Sequence, residues 1–307
     1  MDKFMERKIL FIVNPNSGKR NSGKIIDIIK NKLDQSVVEG PIDIKFEVGL
    51  WKNISEFNLL AEKLKKENFT DAVAVGGDGS VNLVASTILN SNIVLGIVPT
   101  GSGNGLARSL GYKMKTTEAL KQIVKNKTTV IDSGTINNIP FFCTSGLGFD
   151  AHIANLFANL KTRGLKTYIR LIAKEFFLYE EKDYQLSIDG KIYNRKAFLI
   201  GITNAGQYGN DFYLAPQAKL NDGLFHVVIF KSFNFFQIPA IVLKVMRGKA
   251  DKSRFIETFV CKELSIIGEN SNIIHHDGEP QTLGAEINYK LFPKSLKVIV
   301  GDKFDGV

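Results

Sequence analysis

The sequence predicts a two-part chain, an α/β first half built on a parallel sheet and a β-rich, antiparallel second half. Three observations lead there. Short apolar runs alternate with segments of helical periodicity as far as Val130. Two of those runs close in glycine clusters. Beyond Val130, strand-like runs follow one another directly, with a single helical insertion.

In order, Ile9–Val13 reads as a buried strand ending at Asn14-Pro15, and Ile25, Ile28, Ile29 and Leu33 recur at helical spacing. Ile42–Val48 is a second strand, with Phe57, Leu60, Ala61 and Leu64 marking the next helix. Ala72–Val75 is a third strand running into glycines, followed by a helix over Val81–Leu89. Ile93–Val98 is the fourth, followed by a glycine-rich turn and a helix from Leu106. Alternation of this kind builds a parallel sheet whose ligands bind beyond the carboxyl ends of the strands. The later strands are Phe141–Thr144, Tyr184–Ile188, Lys196–Thr203, Phe225–Phe230, Glu263–Ile267 and Asn272–His276. Asp189-Gly190 is a hairpin signal, and one long helical insertion runs from Ala151 to about Glu181. The expected domains are 1–133 and 134–293.

A length of 307 residues suits two such domains, and 44% hydrophobic with 23% charged residues is a globular composition. Lysine and arginine number 40 against 31 acidic residues, a net +9 that favours anionic partners such as phosphates or an anionic membrane face. Cys143 and Cys261 lie in apolar stretches and read as buried free thiols, not a disulfide framework. The run Ile9–Val13 is too short for a signal-peptide core, and Ile238–Met246 is too short to span a bilayer and is broken by Lys244. The expectation is a cytoplasmic protein whose membrane contact, if any, is at the surface.

Gly76-Gly77-Asp78-Gly79-Ser80 follows a buried strand and precedes a helix. Glycines there admit phosphates close to backbone N–H groups, and a helix N-terminus adds a favourable dipole. Asp78 is suited to hold Mg²⁺ or to orient a nucleotide's phosphates. A plain strand–helix turn is the competing reading, since Asp-Gly is common turn chemistry. Thr100-Gly101-Ser102-Gly103-Asn104 repeats the arrangement on the next strand, and two such loops on neighbouring strands are hard to explain structurally. Gly18 to Lys24 fits a P-loop except that Ile25 replaces the Mg²⁺-binding hydroxyl. Asp277-Gly278-Glu279 offers a carboxylate as general base, or simply a hairpin turn. His275 and His276 precede it, but adjacent strand residues point to opposite faces and do not easily share a metal. Lys161, Arg163, Lys166, Arg170 and Lys174 interleave with apolar residues, as in a basic amphipathic helix on anionic lipid or in a solvated helix face. Phe233, Phe235 and Phe236 could add apolar insertion to such a membrane contact, but core packing is their main expected role.

Taken together these motifs resemble the diacylglycerol kinase catalytic domain family, which includes bacterial lipid kinases and sphingosine kinases, nearly end to end. Asn14 to Gly18, Gly76 to Ser80 and Pro99 to Arg108 resemble its nucleotide-side motifs. Ser145 to Ala151, Pro216 to Gly223 and Asp277 to Glu279 resemble its acceptor-side motifs. The resemblance implies an NAD kinase/diacylglycerol kinase-like α/β domain and a β-sandwich, with the last strand, near Ser295–Val300, returning to the first domain. It implies ATP and Mg²⁺ as ligands. Asn14, Ser17, Gly76, Gly77, Gly79, Ser80, Thr100, Gly101, Ser102, Gly103 and Asn104 would bind ATP, with Asp78 and Glu279 catalytic. Asp150 would face the lipid acceptor, and Asp222 and Asp78 would bind metal.

Two positions depart from the family's pattern. Gly105 stands where the diacylglycerol-kinase form has Asp and sphingosine kinases have a small residue, and Leu83 stands where Glu is usual. The function implied is transfer of the ATP γ-phosphoryl group to a hydroxyl of diacylglycerol or a related lipid at a membrane surface. No nucleic-acid partner is expected, and the family is compatible with a homodimer. A sphingoid-base kinase, a soluble-substrate kinase such as an NAD kinase, and a non-catalytic nucleotide- and lipid-binding module are the alternatives.

Overall fold

The computed structural model describes residues 6–17, 22–39, 44–160, 165–206 and 213–304. The chain forms two units, Met1–Ile131 with Lys294–Val307, and Asp132–Pro293. The first is the α/β half. β1 (Arg7–Val13), α1 (Ser22–Glu39), β2 (Ile44–Leu50), α2 (Ile54–Lys66), β3 (Asp71–Gly76), α3 (Asp78–Thr87) and β4 (Val94–Pro99) alternate, followed by α4 (Gly105–Ser109) and α5 (Thr116–Lys125). Its strands lie in the order β4-β3-β1-β2, every pair parallel. Residues of β3 and β4 are buried throughout. Strands covered on both faces read as continuous apolar runs, which is why these segments were visible in the sequence.

Register across the sheet is pinned by a buried ion pair at its amino end. Arg7 Nε and Nη2 donate to the two oxygens of Asp71 at 3.2 and 2.6 Å, tying β1 to β3. Arg7 Nη1 donates to the Ile123 carbonyl of α5 at 2.9 Å. Both side chains are nearly inaccessible to solvent. The glycine turns stand at the opposite, carboxyl end of the same strands.

The second unit is antiparallel, as its uninterrupted strand-like runs predict, and folds as a β-sandwich. β5 (Thr128–Ile136) leads from the first unit into β6 (Ile139–Phe141) and β7 (Thr144–Gly148). Then come α6 (Phe149–Ala158), α7 (Leu165–Glu175), β8 (Lys182–Ile188), β9 (Lys191–Ala197), β10 (Leu199–Thr203) and β11 (Phe225–Phe230). A 3₁₀ turn at Phe235–Gln237 opens α8 (Ile238–Met246), and β12 (Ile256–Cys261), β13 (Glu263–His276) and β14 (Glu279–Ile299) complete the chain. The order is β12-β11-β10-β7-β13-β14, with β8 also on β13 and β9 on β8. Phe141 stacks on Phe225 at 5.5 Å and meets Tyr289 edge-on at 6.1 Å in its core. Cys143 and Cys261 are buried and in no disulfide, and burial pushes the Cys261 thiol up to about 12, so it stays protonated and inert. The far end of β14 belongs to the first unit, where Val298 pairs in parallel with Leu95 of β4.

Several expected elements differ. The single helical insertion is two helices, because α6 stops at Ala158 with Asn159 as its C-cap. Glu263–Ile267 and Asn272–His276 are one strand, irregular between Ile267 and Ser271. Lys196–Thr203 divides between β9 and β10, and Asp189-Gly190, both at positive φ, turns β8 into β9. Of the three phenylalanines assigned to the core, only Phe233 packs inward, while Phe235 and Phe236 are exposed. Gly18 and the P-loop-like segment up to Asn21, with Lys161 and Arg163, lie outside the described residues. Among the described residues no helix is long and apolar enough to cross a membrane.

Replacing Arg7 by Met strands the Asp71 carboxylate in a buried position, and is expected to destabilise the protein by about 3–5 kcal/mol in denaturant unfolding. An Arg7→Met protein within about 1 kcal/mol of the parent would remove the pair as the determinant of register.

Candidate functional site

In the first unit the two glycine turns lie against each other. Asp78, at the first position of α3, accepts the N–H of Asn104 at 2.8 Å on one oxygen and that of Gly105 at 2.7 Å on the other. The carboxylate therefore clamps the second turn to the first. Asn104, left-handed at φ 53°, closes its own turn by accepting the Gly101 N–H at 3.1 Å and donating to the Gly101 carbonyl at 2.8 Å. Arg108 Nε donates to the Gly103 carbonyl at 3.0 Å. A side chain would not fit between the turns, since a Cβ on Gly101 would lie 2.7 Å from the Gly77 Cα, and one on Gly103 would lie 2.7 Å from an Asp78 oxygen.

The β1 turn joins this arrangement. Asn14 Nδ2 donates to the Ser80 hydroxyl at 2.9 Å, and the Thr100 hydroxyl bonds that of Ser17 at 3.1 Å. The Thr100 N–H donates to the Gly76 carbonyl at 2.9 Å, so successive strand ends stay in step. The N-cap of α3 is Gly77, which provides no side-chain cap. Its first turn, with Gly79 and Ser80, thus presents backbone donors and the positive end of a ten-residue helix to an anion. Among the described residues the structure brings together the turns bearing Asn14, Ser17, Gly76 to Ser80 and Thr100 to Asn104, with Ser102 exposed at the rim. Gly105, one of the two departures, is where Asp78 caps α4 through a backbone amide, and Leu83 sits half-buried on α3.

In the second unit, Asp277 and Gly278 form a two-residue turn between β13 and β14, both at positive φ, with His276 opposite Glu279. That geometry is the two-residue hairpin with left-handed central residues. Asp277 does more than turn the chain. Its carboxylate accepts the N–H groups of Phe142, Cys143 and Thr144 at 2.9, 2.8 and 3.1 Å, anchoring the tip to the start of β7. Glu279 is left exposed at the end of that anchored hairpin.

One strand over, Asp150 at the start of α6 bonds His275 Nε2 at 3.1 Å. Gly146, opposite His275 in register, makes room, because a Cβ there would collide with both side chains. His275 Nε2 thus serves Asp150. The sequence signal was the pairing of a glycine in β7 with a histidine in β13, invisible until register is known. Around Asp150 stand tyrosines. Burial, aided by its negative charge, pushes the Tyr168 hydroxyl up to about 12, and Tyr179, Tyr184 and Tyr289 are raised for the same two reasons. His276, half-buried beside Asp277, is held below its ordinary value chiefly by burial.

Asp222 occupies a tight turn. It accepts the N–H groups of Lys219 at 3.1 Å and Leu224 at 3.0 Å, and faces His226 Nε2 at 3.0 Å. Burial opposes its charge, but His226 and the amides outweigh burial and hold it below the usual carboxylate range. Mg²⁺ requires oxygen ligands, and on a nucleotide it keeps mostly water and phosphate with one or two carboxylates. Asp78 fits that description, since its amide bonds leave lone pairs on each oxygen. Asp222 likewise keeps lone pairs beside the amides and the imidazole that it faces. Among the described residues no group of three His, Cys, Asp or Glu is placed to hold an ion. The geometry there is that of a carboxylate–imidazole pair.

Residues 8–136 match the diacylglycerol kinase catalytic domain, and residues 144–300 match the YegS C-terminal NAD kinase beta sandwich-like domain. The chain belongs to the diacylglycerol kinase catalytic domain family. It is 25% identical over 282 residues to a diacylglycerol kinase of Staphylococcus aureus, covering 90% of this chain and 87% of that one. An uncharacterized protein of Synechocystis is also 25% identical, over 94% of this chain and 69% of its own. Among solved structures, a diacylglycerol kinase from Bacillus anthracis shares the fold with a TM-score of 0.74 at 20% identity, covering 96% and 97% of the two chains. An NAD kinase from Archaeoglobus fulgidus, solved with ATP, matches with a TM-score of 0.54 at 14% identity over 96% and 95%. Membership places the chain among kinases.

Two outcomes test the geometry. Gly101→Ala is expected to force the turns apart at a cost of about 1–3 kcal/mol in unfolding free energy, with weaker nucleotide binding by calorimetry. Unchanged binding and stability would show that the close approach is dispensable. For His276 the folded value lies below the unfolded one of 6.5, so on acidification the unfolded chain takes up its proton first. Stability is therefore expected to fall as the pH drops below about 6.5, levelling once the folded imidazole titrates. Thermal melts at pH 7.5 and 5.5 should show a smaller drop in His276→Gln than in the parent, and equal drops would exclude His276 as the source.

Proposed function

We propose that the chain transfers the γ-phosphoryl group of ATP to a hydroxyl of diacylglycerol or a related lipid. The observation that carries this reading is the pair of glycine turns, pressed together by Asp78 beside the uncapped start of α3. Bare backbone and a helix N-terminus suit a triphosphate, which brings several negative charges and needs close approach. Mg²⁺, when bound, would neutralise the β- and γ-phosphates, with Asp78 as its protein carboxylate.

Phosphoryl transfer makes few covalent demands on a protein, so positioning and a proton acceptor suffice. Glu279 fits the acceptor role because it is exposed while its backbone is fixed by the Asp277 anchor. The acceptor O–H gives its proton to the Glu279 carboxylate as its oxygen bonds to the γ-phosphorus. The bond from that phosphorus to the bridging β–γ oxygen breaks, and ADP leaves with the electron pair. Asp150, held by His275 among tyrosines, fits a residue that receives the polar head of a lipid while aromatic rings receive its apolar portion. A sphingoid base is the second reading, favoured by the small Gly105 and by a carboxylate able to bind an ammonium group.

Glu279→Gln is expected to retain ATP binding while turnover falls about 100-fold or more, the scale of general-base loss. The measurement is transfer of labelled phosphate to mixed micelles of diacylglycerol or sphingosine, with ATP affinity measured separately by calorimetry. Undiminished turnover would take Glu279 out of the role, and the preferred acceptor decides between the two lipids.

A further inference from the structure

The second unit carries an apolar feature that the phosphoryl-transfer residues do not use. Phe236 is 89% exposed and Phe235 49%, on the 3₁₀ turn before α8, while Phe177 and Leu178, just after α7, are each 66% exposed. Exposed side chains of this size are usually scattered singly over a surface. These are contiguous. Phe177 lies 5.1 Å from Phe235, and Phe235 lies 6.1 Å from Phe236, ring centre to ring centre.

The prong is built and not frayed. Asn234 and Gln237 form a reciprocal capping box around the two exposed phenylalanines, with the Asn234 N–H donating to Gln237 Oε1 at 2.9 Å. The Ser232 hydroxyl donates to Glu181, pinning this loop to the segment after α7. From the exposed end the rings continue inward. Phe177 touches Phe176 at 5.6 Å, and Phe176 meets Phe149 at 6.2 Å, the residue before Asp150. An apolar path thus runs from the surface to the acceptor-side carboxylate.

Charge identifies what the surface meets. The two segments bearing the rings, 165–182 and 231–254, contain ten basic and four acidic residues, so +6 of the chain's +9 lies in them. Exposed aromatic rings on segments rich in basic residues match the interface of an anionic bilayer, where rings enter at the headgroup level and cations meet lipid phosphates. A folded protein partner would have to supply an acidic, apolar groove, and nothing in the molecule selects one. We propose that Phe177, Leu178, Phe235 and Phe236 form the surface by which this chain docks on an anionic phospholipid bilayer, with the ring path leading a lipid from the bilayer toward Asp150. The destination of that path rests on the lipid-kinase reading, whereas the docking does not.

The test is co-sedimentation of the full chain with vesicles of phosphatidylglycerol and phosphatidylcholine, and with phosphatidylcholine alone. The parent is expected to bind the anionic vesicles more tightly, and Phe235→Ser with Phe236→Ser to weaken that binding about 10-fold or more, as loss of two inserted rings requires. The double variant should phosphorylate a short-chain, water-dispersed diacylglycerol at the parental rate, which shows that it is folded. Phe236→Trp should keep vesicle binding, and its fluorescence should shift to the blue on adding anionic vesicles beyond any change from Trp51 in the parent. Undiminished binding of the double variant, or no blue shift, overturns the proposal. So does a patch-dependent self-association in sedimentation without vesicle binding, which would make a second copy the occupant. Phenylalanine-dependent vesicle binding in a protein that phosphorylates no lipid would uphold the docking surface and defeat the kinase reading alone.

Discussion

One carboxylate holds the glycine turns of the first unit together. Asp78 receives backbone amides from the neighbouring turn on both oxygens, and everything around it is arranged to let that happen. Gly101 and Gly103 lack side chains where side chains would intrude. Asn104 takes a left-handed conformation to turn its amide toward Asp78. Bonds from Asn14 to Ser80 and from Thr100 to Ser17 hold the flanking turns at the same level. A loop clamped this way is fixed before a ligand arrives, so little ordering cost is left for binding.

The second unit uses the same device in another setting. Asp277 gathers three amides from the entry to β7, which makes a two-residue hairpin tip into a fixed platform. A hairpin turn and a catalytic motif were competing readings of Asp277-Gly278-Glu279, and the geometry shows the first without conflict with the second. The turn is what allows Glu279 to stand exposed on an immobile backbone. Asp150 is fixed in turn by His275, across a register that Gly146 leaves open.

What was legible in the sequence follows from burial. The strands at Ile9–Val13, Ala72–Val75 and Ile93–Val98 were readable because both faces are covered, which leaves continuous apolar runs bounded by glycine and proline. β14 was largely illegible. One face is solvated, so its residues alternate, and Pro280, Gly284 and Pro293 read as breaks in what is a single strand from Glu279 to Ile299. β9 was missed because Asn194, Arg195 and Lys196 give it a polar composition. The glycine turns were legible as chemistry, since their residue types have few other uses at strand ends. The Asp150–His275 contact was not, because it depends on a pairing between strands more than a hundred residues apart. The exposure of Phe235 and Phe236 was also hidden, since composition does not tell an inward ring from an outward one.

The discontinuity of the first unit bears on how the protein is made. Its sheet gains the strand beside β4 only from the stretch beginning at Lys294, after the whole second unit has been translated. Until then an apolar strand edge stands open on the nascent chain, a template for mispairing that the ribosome cannot help to close. The contiguous second unit is under no such delay, so the half translated later can mature earlier.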